Sequence, residues 1–302
     1  ILLSQALDVK PDYFFRESQF AISNIEFRKK AKMGVKEVEA IKEEIRDIIE
    51  RYLEIEDVWG CVPSFANPVK EMLVASEDDV YEVVKKLKDA WNIGEDGILS
   101  VTDLLESKNI KVVEIKADLS FDGLSGYVNN DENMPFVVVN KSFDVERLRF
   151  TGLHELGHLV MNLPEEMEKK DKERLCNLFA SEMLISRDIF EDVLGERRSD
   201  ISLQELKVLQ AVYGISVDAL MFKAKTVGVI SESKHTSFCI RKNKSLAFKD
   251  AVERSSYRGV EESSRFDRLV YRALASDMIS CSKAAVLLNE PMEEVKNKLE
   301  LV

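Results

Sequence analysis

The sequence predicts an α+β fold that is mostly helical, with a small sheet of three or more strands followed by a small all-helical region. Three observations support this prediction. Apolar residues recur at spacings of three and four over long stretches, as they do on one face of a helix. Three short apolar runs between residues 110 and 140 are typical of strands. Beyond Gly195 the pattern changes to short helices with clear start and stop signals.

Composition limits the classes of function. The chain has 302 residues, 45% of them hydrophobic, so it can bury a core, and its net charge of −12 disfavours a broad phosphate-binding surface. No apolar run is long enough for a transmembrane helix and no secretory leader is visible, so we expect no membrane partner. Because the chain starts at Ile1, we expect a further segment upstream.

The cysteines are far apart and predict reduced thiols in a cytoplasmic protein: Cys61, Cys176, Cys239 and Cys281.

The first half of the chain predicts three helices. Apolar residues between Val35 and Ile55 form one amphipathic stripe, which we interpret as a linker helix whose isoleucines serve domain packing or a homodimer seam. Ser76 with Asp79 resembles a capping box that opens a helix running to about Trp91. A short helix reaching about residue 107 follows.

The strands come next, at residues 110–115, 124–129 and 136–140, and the dense β-branched run 136–139 predicts a central strand. Two longer helices follow, from about Asp144 to Met161 and from about Asp171 to Ile185. The remaining signals predict short helices: a capping box at Ser202 and Glu205, a helix end at Gly214, and helix starts at Ser216 and Pro291.

The chemistry is concentrated in the run HELGH, residues 154–158. Residues four apart share one helix face, so His154 and His158 can direct two imidazole nitrogens at one metal ion. Glu155 is then placed to act as the general base toward water, while zinc supplies Lewis acidity. Gly157 costs a helix about 1 kcal/mol relative to alanine, which predicts the close approach of another backbone.

A catalytic zinc site needs a third protein ligand. The following helix offers Glu173 and Glu182 on opposite flanks of its apolar face, and periodicity alone does not choose between them. The loop before that helix offers further glutamates, at positions 165, 166 and 168. Asn177 lies one turn after Glu173 on the same side, which suits a residue that orients a ligand.

Two motifs together resemble the ImmA/IrrE family of zinc metallopeptidases: Arg149-Phe150-Thr151 with HELGH, and Glu173-x-x-Cys176-Asn177-x-Phe179-Ala180 with Leu184. The resemblance covers roughly residues 60 to 190, and more weakly the Tyr213–Ser216 stretch. It implies a zincin-like fold, bound Zn²⁺ and Glu173 as the third ligand. One departure is Ser186, where the second motif usually ends in proline. That change affects a helix end and no metal ligand.

The first residues, Leu2 to Phe14, resemble the last part of an Xre-type helix-turn-helix domain, so DNA contact would need residues upstream of Ile1. The predicted organisation is therefore a helix-turn-helix remnant at 1–20, a linker helix at 21–57, a peptidase domain at 58–195 and a helical domain at 196–302.

The preferred functional prediction is a zinc-dependent endopeptidase that cleaves a protein, for which the resemblance suggests a transcriptional repressor in a stress-response or mobile-element switch. The alternative is a non-catalytic regulator or protein-binding module with a peptidase-like fold. An intact Glu155 favours the enzyme, since a structural metal site needs no base. We assign no role to His235, expected in a solvated loop, or to Tyr127, expected as a packed or edge residue.

Overall fold

The computed structural model describes residues 34–60, 64–128 and 133–299. The described residues form a mostly helical α+β fold with one three-stranded sheet, as predicted. The elements are α1 Val35–Val58, α2 Glu77–Trp91, α3 Val101–Ser107, β1 Lys111–Ile115, β2 Gly123–Tyr127, β3 Pro135–Asn140, α4 Val145–Val160, α5 Lys169–Leu184, α6 Arg187–Leu194, α7 Leu203–Tyr213, α8 Val217–Thr226, α9 Glu232–Lys244, α10 Leu246–Glu253, α11 Arg265–Ala275, α12 Cys281–Leu288 and α13 Met292–Lys298.

Most helix boundaries follow the local signals. Both predicted capping boxes form, Ser76 with Asp79 at α2 and Ser202 with Glu205 at α7. Gly214 ends α7 in the left-handed conformation. Helix α2 ends at Trp91, as predicted, because Asn92 adopts the left-handed conformation there.

The sheet has the order β1–β3–β2, so β3 is the central strand, as the dense run of β-branched residues predicts. Strand β3 pairs in parallel with β1 and antiparallel with β2, and all of its residues are buried. Successive side chains of a strand point to opposite faces. Val137 and Val139 therefore join the core shared with α4, whereas Phe136 and Val138 join the core beneath α1.

Helix α1 covers the face of the sheet that lies away from α4. Its stripe of Ile41, Ile45 and Ile49 is buried against sheet residues such as Val113 and Leu124. The isoleucine stripe thus serves packing inside the chain. The predicted helix-turn-helix remnant at 1–20 lies outside the described residues.

A single hydrophobic cluster runs from Phe65 to Val252 and includes residues of α7, α8 and α9. Helices α11 to α13 instead form a separate cluster with Ile55 at the end of α1. The domain division at residues 195 and 196 stays a prediction. None of the helices in the described part of the chain combines the length and apolar character that a membrane crossing needs.

Arg149, fully buried in α4, ties that helix to the surrounding loops. Its guanidinium donates to the backbone oxygen of Ile98 at 2.6 Å, to that of Gly214 at 3.2 Å and to the carboxylate of Glu261. Glu261 also accepts the first backbone N–H groups of α3, from Val101 at 3.0 Å and Thr102 at 2.9 Å. A buried charge of this kind is tolerated because its donors and its charge are both satisfied.

Position 214 requires glycine for two reasons. Its φ is +59°, in the left-handed region, and a Cβ there would collide with the guanidinium of Arg149. The end of α7 therefore approaches α4 through this contact.

We expect Arg149→Ala to lower the free energy of unfolding by about 3–5 kcal/mol, because it leaves the Glu261 carboxylate buried without its cation. Urea denaturation measures this. Arg174→Ala is the matched control, since Arg174 pairs with Glu77 on the exposed surface, and a change within about 1 kcal/mol is expected. Equal effects of the two substitutions would contradict a structural role for the buried pair.

Candidate metal centre

Helix α4 brings the two motif histidines together. Asp144 caps the helix by accepting the backbone N–H of Arg147 at 3.0 Å. One turn separates His154 from His158, and their Nε2 atoms lie 3.1 Å apart. The four-residue spacing thus places the two imidazole nitrogens next to each other, as the sequence predicts.

Helix α5 supplies a carboxylate to the same point. Oε2 of Glu173 lies 3.2 Å from Nε2 of His154, and Oε1 lies 3.9 Å from Nε2 of His158. In a tetrahedral zinc site with bonds of about 2.0–2.1 Å, neighbouring ligand atoms are about 3.3 Å apart. One ligand atom from each of the three side chains lies within 4.8 Å of the others, so the group has the size and donor types of a zinc site.

The imidazole nitrogens that face away from this point also have partners. Nδ1 of His154 lies 2.9 Å from Oδ1 of Asn177, and Nδ1 of His158 lies 3.0 Å from Sγ of Cys176. An amide oxygen can only accept, so this contact requires the tautomer with the proton on Nδ1 of His154, which is also the tautomer that leaves Nε2 available to a metal ion. Asn177 thus contacts His154 and not Glu173, which the sequence pattern favours as its partner, and its role in orienting a ligand stays a prediction.

Glu182, the other candidate for third ligand, lies elsewhere. It is buried and pairs with Nζ of Lys223 at 2.6 Å, and it accepts the backbone N–H of Arg187 at 2.6 Å. Burial lowers the pKa of Lys223, and the adjacent carboxylate opposes that effect. The pair joins α5 to α8 and takes no part in the group around the histidines.

Gly157 allows α4 and α5 to approach each other. A Cβ at this position would lie 3.1 Å from Cδ1 of Phe179 and 3.4 Å from Cε of Met161. The sequence-based expectation that another backbone approaches here was wrong, because the group that fills the space is an aromatic ring of α5. The close crossing of the two helices is nevertheless what brings Glu173 to the histidines.

Glu155 points toward strand β2. The residue is 4% exposed, and its Oε2 accepts a hydrogen bond from Oγ of Ser125 at 2.7 Å. Gly123, at the start of β2, lies so close to α4 that a Cβ there would collide with Thr151. Sequence reasoning missed Ser125, since only strand pairing decides which β2 side chain faces the helix.

Two depressions flank the histidines. One, of about 830 Å³, is bordered by His154, Glu155 and Glu173, and the other, of about 530 Å³, is bordered by His158 and Tyr127. We call these two depressions, which border the histidine pair from two sides, the groove, and such an arrangement suits a chain that extends in both directions.

Charged groups line the far end of the larger depression. Lys242 lies there between Asp218, at 2.7 Å, and Glu253, at 3.1 Å. Burial lowers the pKa of Lys242, but its hydrogen bonds to these two carboxylates outweigh burial and raise it. Lys242 therefore remains a cation at this end of the groove.

The structure also places three residues for which the sequence analysis made a specific prediction: Tyr127, His235 and Ser186. Tyr127 packs on α4, donating from its hydroxyl to the backbone oxygen of Leu159 at 3.0 Å. His235 lies within α9, against the ring of Phe222, and the prediction of a solvated loop was wrong because the capping signal of Ser231 starts a helix there. Ser186 caps α6 by accepting the backbone N–H of Ile189, so the departure from proline indeed concerns a helix end.

Comparison with known families agrees with this site. Residues 105–225 match the Peptidase_M78 family model, which is described as an IrrE N-terminal-like domain. The matched segment contains HELGH, Glu173 and Asn177, and it extends beyond residue 195 into α8. A comparison with curated proteins gives no match. The match supports a metallopeptidase-type domain of the ImmA/IrrE kind.

We expect the purified chain to hold about one zinc ion, since the group offers three protein ligands and an open position. Elemental analysis of protein prepared without added metal measures this. His158→Ala removes one ligand and should abolish stoichiometric zinc, whereas His235→Ala, which changes the histidine of α9, should retain it. Full zinc content in His158→Ala would contradict the site.

We expect Glu173→Ala to weaken zinc binding by at least roughly 100-fold, because loss of a ligand should exceed the 10–100-fold effect of losing a residue that orients one. Competition with a chromophoric chelator measures this. Glu182→Ala should leave zinc affinity within a few-fold but lower stability, since it leaves Lys223 buried without its partner. The opposite ranking in zinc affinity would rule out Glu173 as the ligand.

Proposed function

We propose that this chain is a zinc-dependent endopeptidase of the ImmA/IrrE type. The observation that carries the proposal is the convergence of His154, His158 and Glu173 beside the buried carboxylate of Glu155. Two imidazole nitrogens and one carboxylate oxygen are a ligand set that catalytic zinc takes, so the donor set fits a metal ion. A purely structural site would have no need of the adjacent carboxylate.

His154, His158 and Glu173 would hold the zinc, and zinc in such a site supplies Lewis acidity toward water and toward a peptide carbonyl. Ser125 holds the Glu155 carboxylate by donating to its Oε2. The carboxylate is thereby fixed at the groove, where it accepts a proton from water and returns it to the leaving amine nitrogen. Its low exposure limits competing hydration.

The groove on both sides of the histidines supports cleavage within a polypeptide, since an internal segment must extend away from the scissile bond in two directions. The resemblance to ImmA/IrrE peptidases makes a transcriptional repressor the proposed substrate, in a stress-response or mobile-element switch. We propose a cytoplasmic location for the same reason and because Cys239 and Cys281 are not joined in a disulfide.

We expect Glu155→Gln to retain zinc and to lose at least about 100-fold in cleavage rate, the lower range for loss of a general base. The assay incubates purified protein with candidate repressor proteins and follows fragments by mass spectrometry. Glu166→Gln, in the loop before α5, is the control and should cleave at the parent rate. Unchanged cleavage by Glu155→Gln would exclude this mechanism. Binding of a repressor without cleavage by the parent would instead support the regulator alternative.

A further inference from the structure

We propose that Cys176 is a positioning residue of the metal site, whose sulfur accepts a hydrogen bond from Nδ1–H of His158 and directs Nε2 of that ring toward the ion. The proposal rests on the proposed function, since it presumes the zinc site. The observation behind it is a contact to Nδ1 of His158, the ring nitrogen that does not face the other two candidate ligands. Sγ of Cys176 lies 3.0 Å from Nδ1 of His158, and the cysteine is completely buried.

Cys176 and Asn177 are consecutive residues of α5, and each holds the Nδ1 atom of one histidine. Asn177 holds His154 at 2.9 Å through an oxygen, and Cys176 holds His158 through a sulfur. A histidine that binds metal through Nε2 usually donates its other N–H, which fixes both the tautomer and the ring orientation. Helix α5 would therefore supply one ligand, Glu173, and the supports of the two others.

The surroundings explain why a thiol occupies this position. Cys176 belongs to the main hydrophobic cluster, together with its α5 neighbours Leu175 and Phe179. A carboxylate behind His158 would have to be buried in this apolar environment, at a high desolvation cost. A thiol packs as a small apolar group and still offers a weak acceptor.

The contact geometry also separates this role from direct metal binding. Sγ approaches Nδ1, on the side of the His158 ring away from Nε2, and it is Nε2 that faces His154 and Glu173. The group of possible ligand atoms found among the described residues contains His154, His158 and Glu173, without Cys176. The sulfur therefore acts through the histidine.

The test compares zinc dissociation constants of the parent, Cys176→Ser and Cys176→Ala, by competition with a chromophoric chelator. Cys176→Ala removes the acceptor and should weaken zinc binding by roughly 10-fold, the lower end of the range for an orienting partner. Cys176→Ser keeps an acceptor and should bind more tightly than Cys176→Ala. A role in packing alone would favour the opposite order, because a buried hydroxyl costs more than a methyl group.

Cys239→Ala is the matched control. Its sulfur lies 3.9–4.0 Å from the ring nitrogens of His235, in a second cysteine–histidine pair on α9, and its loss should leave zinc affinity unchanged. Thermal unfolding of the metal-free variants shows whether each has folded. If Cys176→Ala does not fold, Cys176→Val takes its place, since valine fills the space without an acceptor.

Three results would overturn the proposal while leaving the zinc site in place. They are equal affinities in the parent and both Cys176 variants, tighter binding by the alanine variant than by the serine variant, and a cobalt-substituted parent with a thiolate charge-transfer band that Cys176→Ala abolishes. The last result would make Cys176 a direct ligand. A parent protein that binds no zinc would instead refute the proposed function, and this inference with it.

Discussion

The contact between Gly157 on α4 and Phe179 on α5 is the constraint on which the candidate site depends. Because residue 157 has no side chain, the Phe179 ring comes within 3.1 Å of the position that a Cβ would take, and the two helices cross closely. That crossing places Glu173 within 3.2 Å of His154. A Cβ at residue 157 would be in tight contact with that ring, so a larger side chain would require the ring or α5 to move.

Two buried charge pairs connect α4 and α5 to neighbouring parts of the fold. Arg149 connects α4 to Glu261 and to the end of α7, and the Glu182–Lys223 pair connects α5 to α8. Such pairs add little net stability, but losing one partner is costly. They therefore resist displacement of either helix, which keeps the candidate ligands on these helices in place.

The sheet fixes the position of Glu155, the proposed general base. Its central strand is buried on both faces, between α1 and α4, and it carries β2 along one edge. Strand β2 then places Ser125 against Glu155. The proposed base is thus held from the sheet, whereas the proposed ligands are held by helices.

The sequence by itself determined the parts that depend on local periodicity. Spacing of three and four residues located the helices, capping residues located many of their ends, and the four-residue interval placed His154 and His158 on one face. These features follow from backbone geometry within one element. The choice between Glu173 and Glu182 was different, because both flank the same apolar face, and Glu173 was favoured only by the position of Asn177 and by the family resemblance.

Tertiary structure decided what depends on how elements pack. The crossing of α4 and α5 put Glu173 beside the histidines and Glu182 beside Lys223. The same crossing set Cys176 behind His158, and the pairing of β2 with β3 aimed Ser125 at Glu155. These contacts join residues 15 to 41 positions apart in the chain, where no local period relates one side chain to another, so only the packed core could fix them.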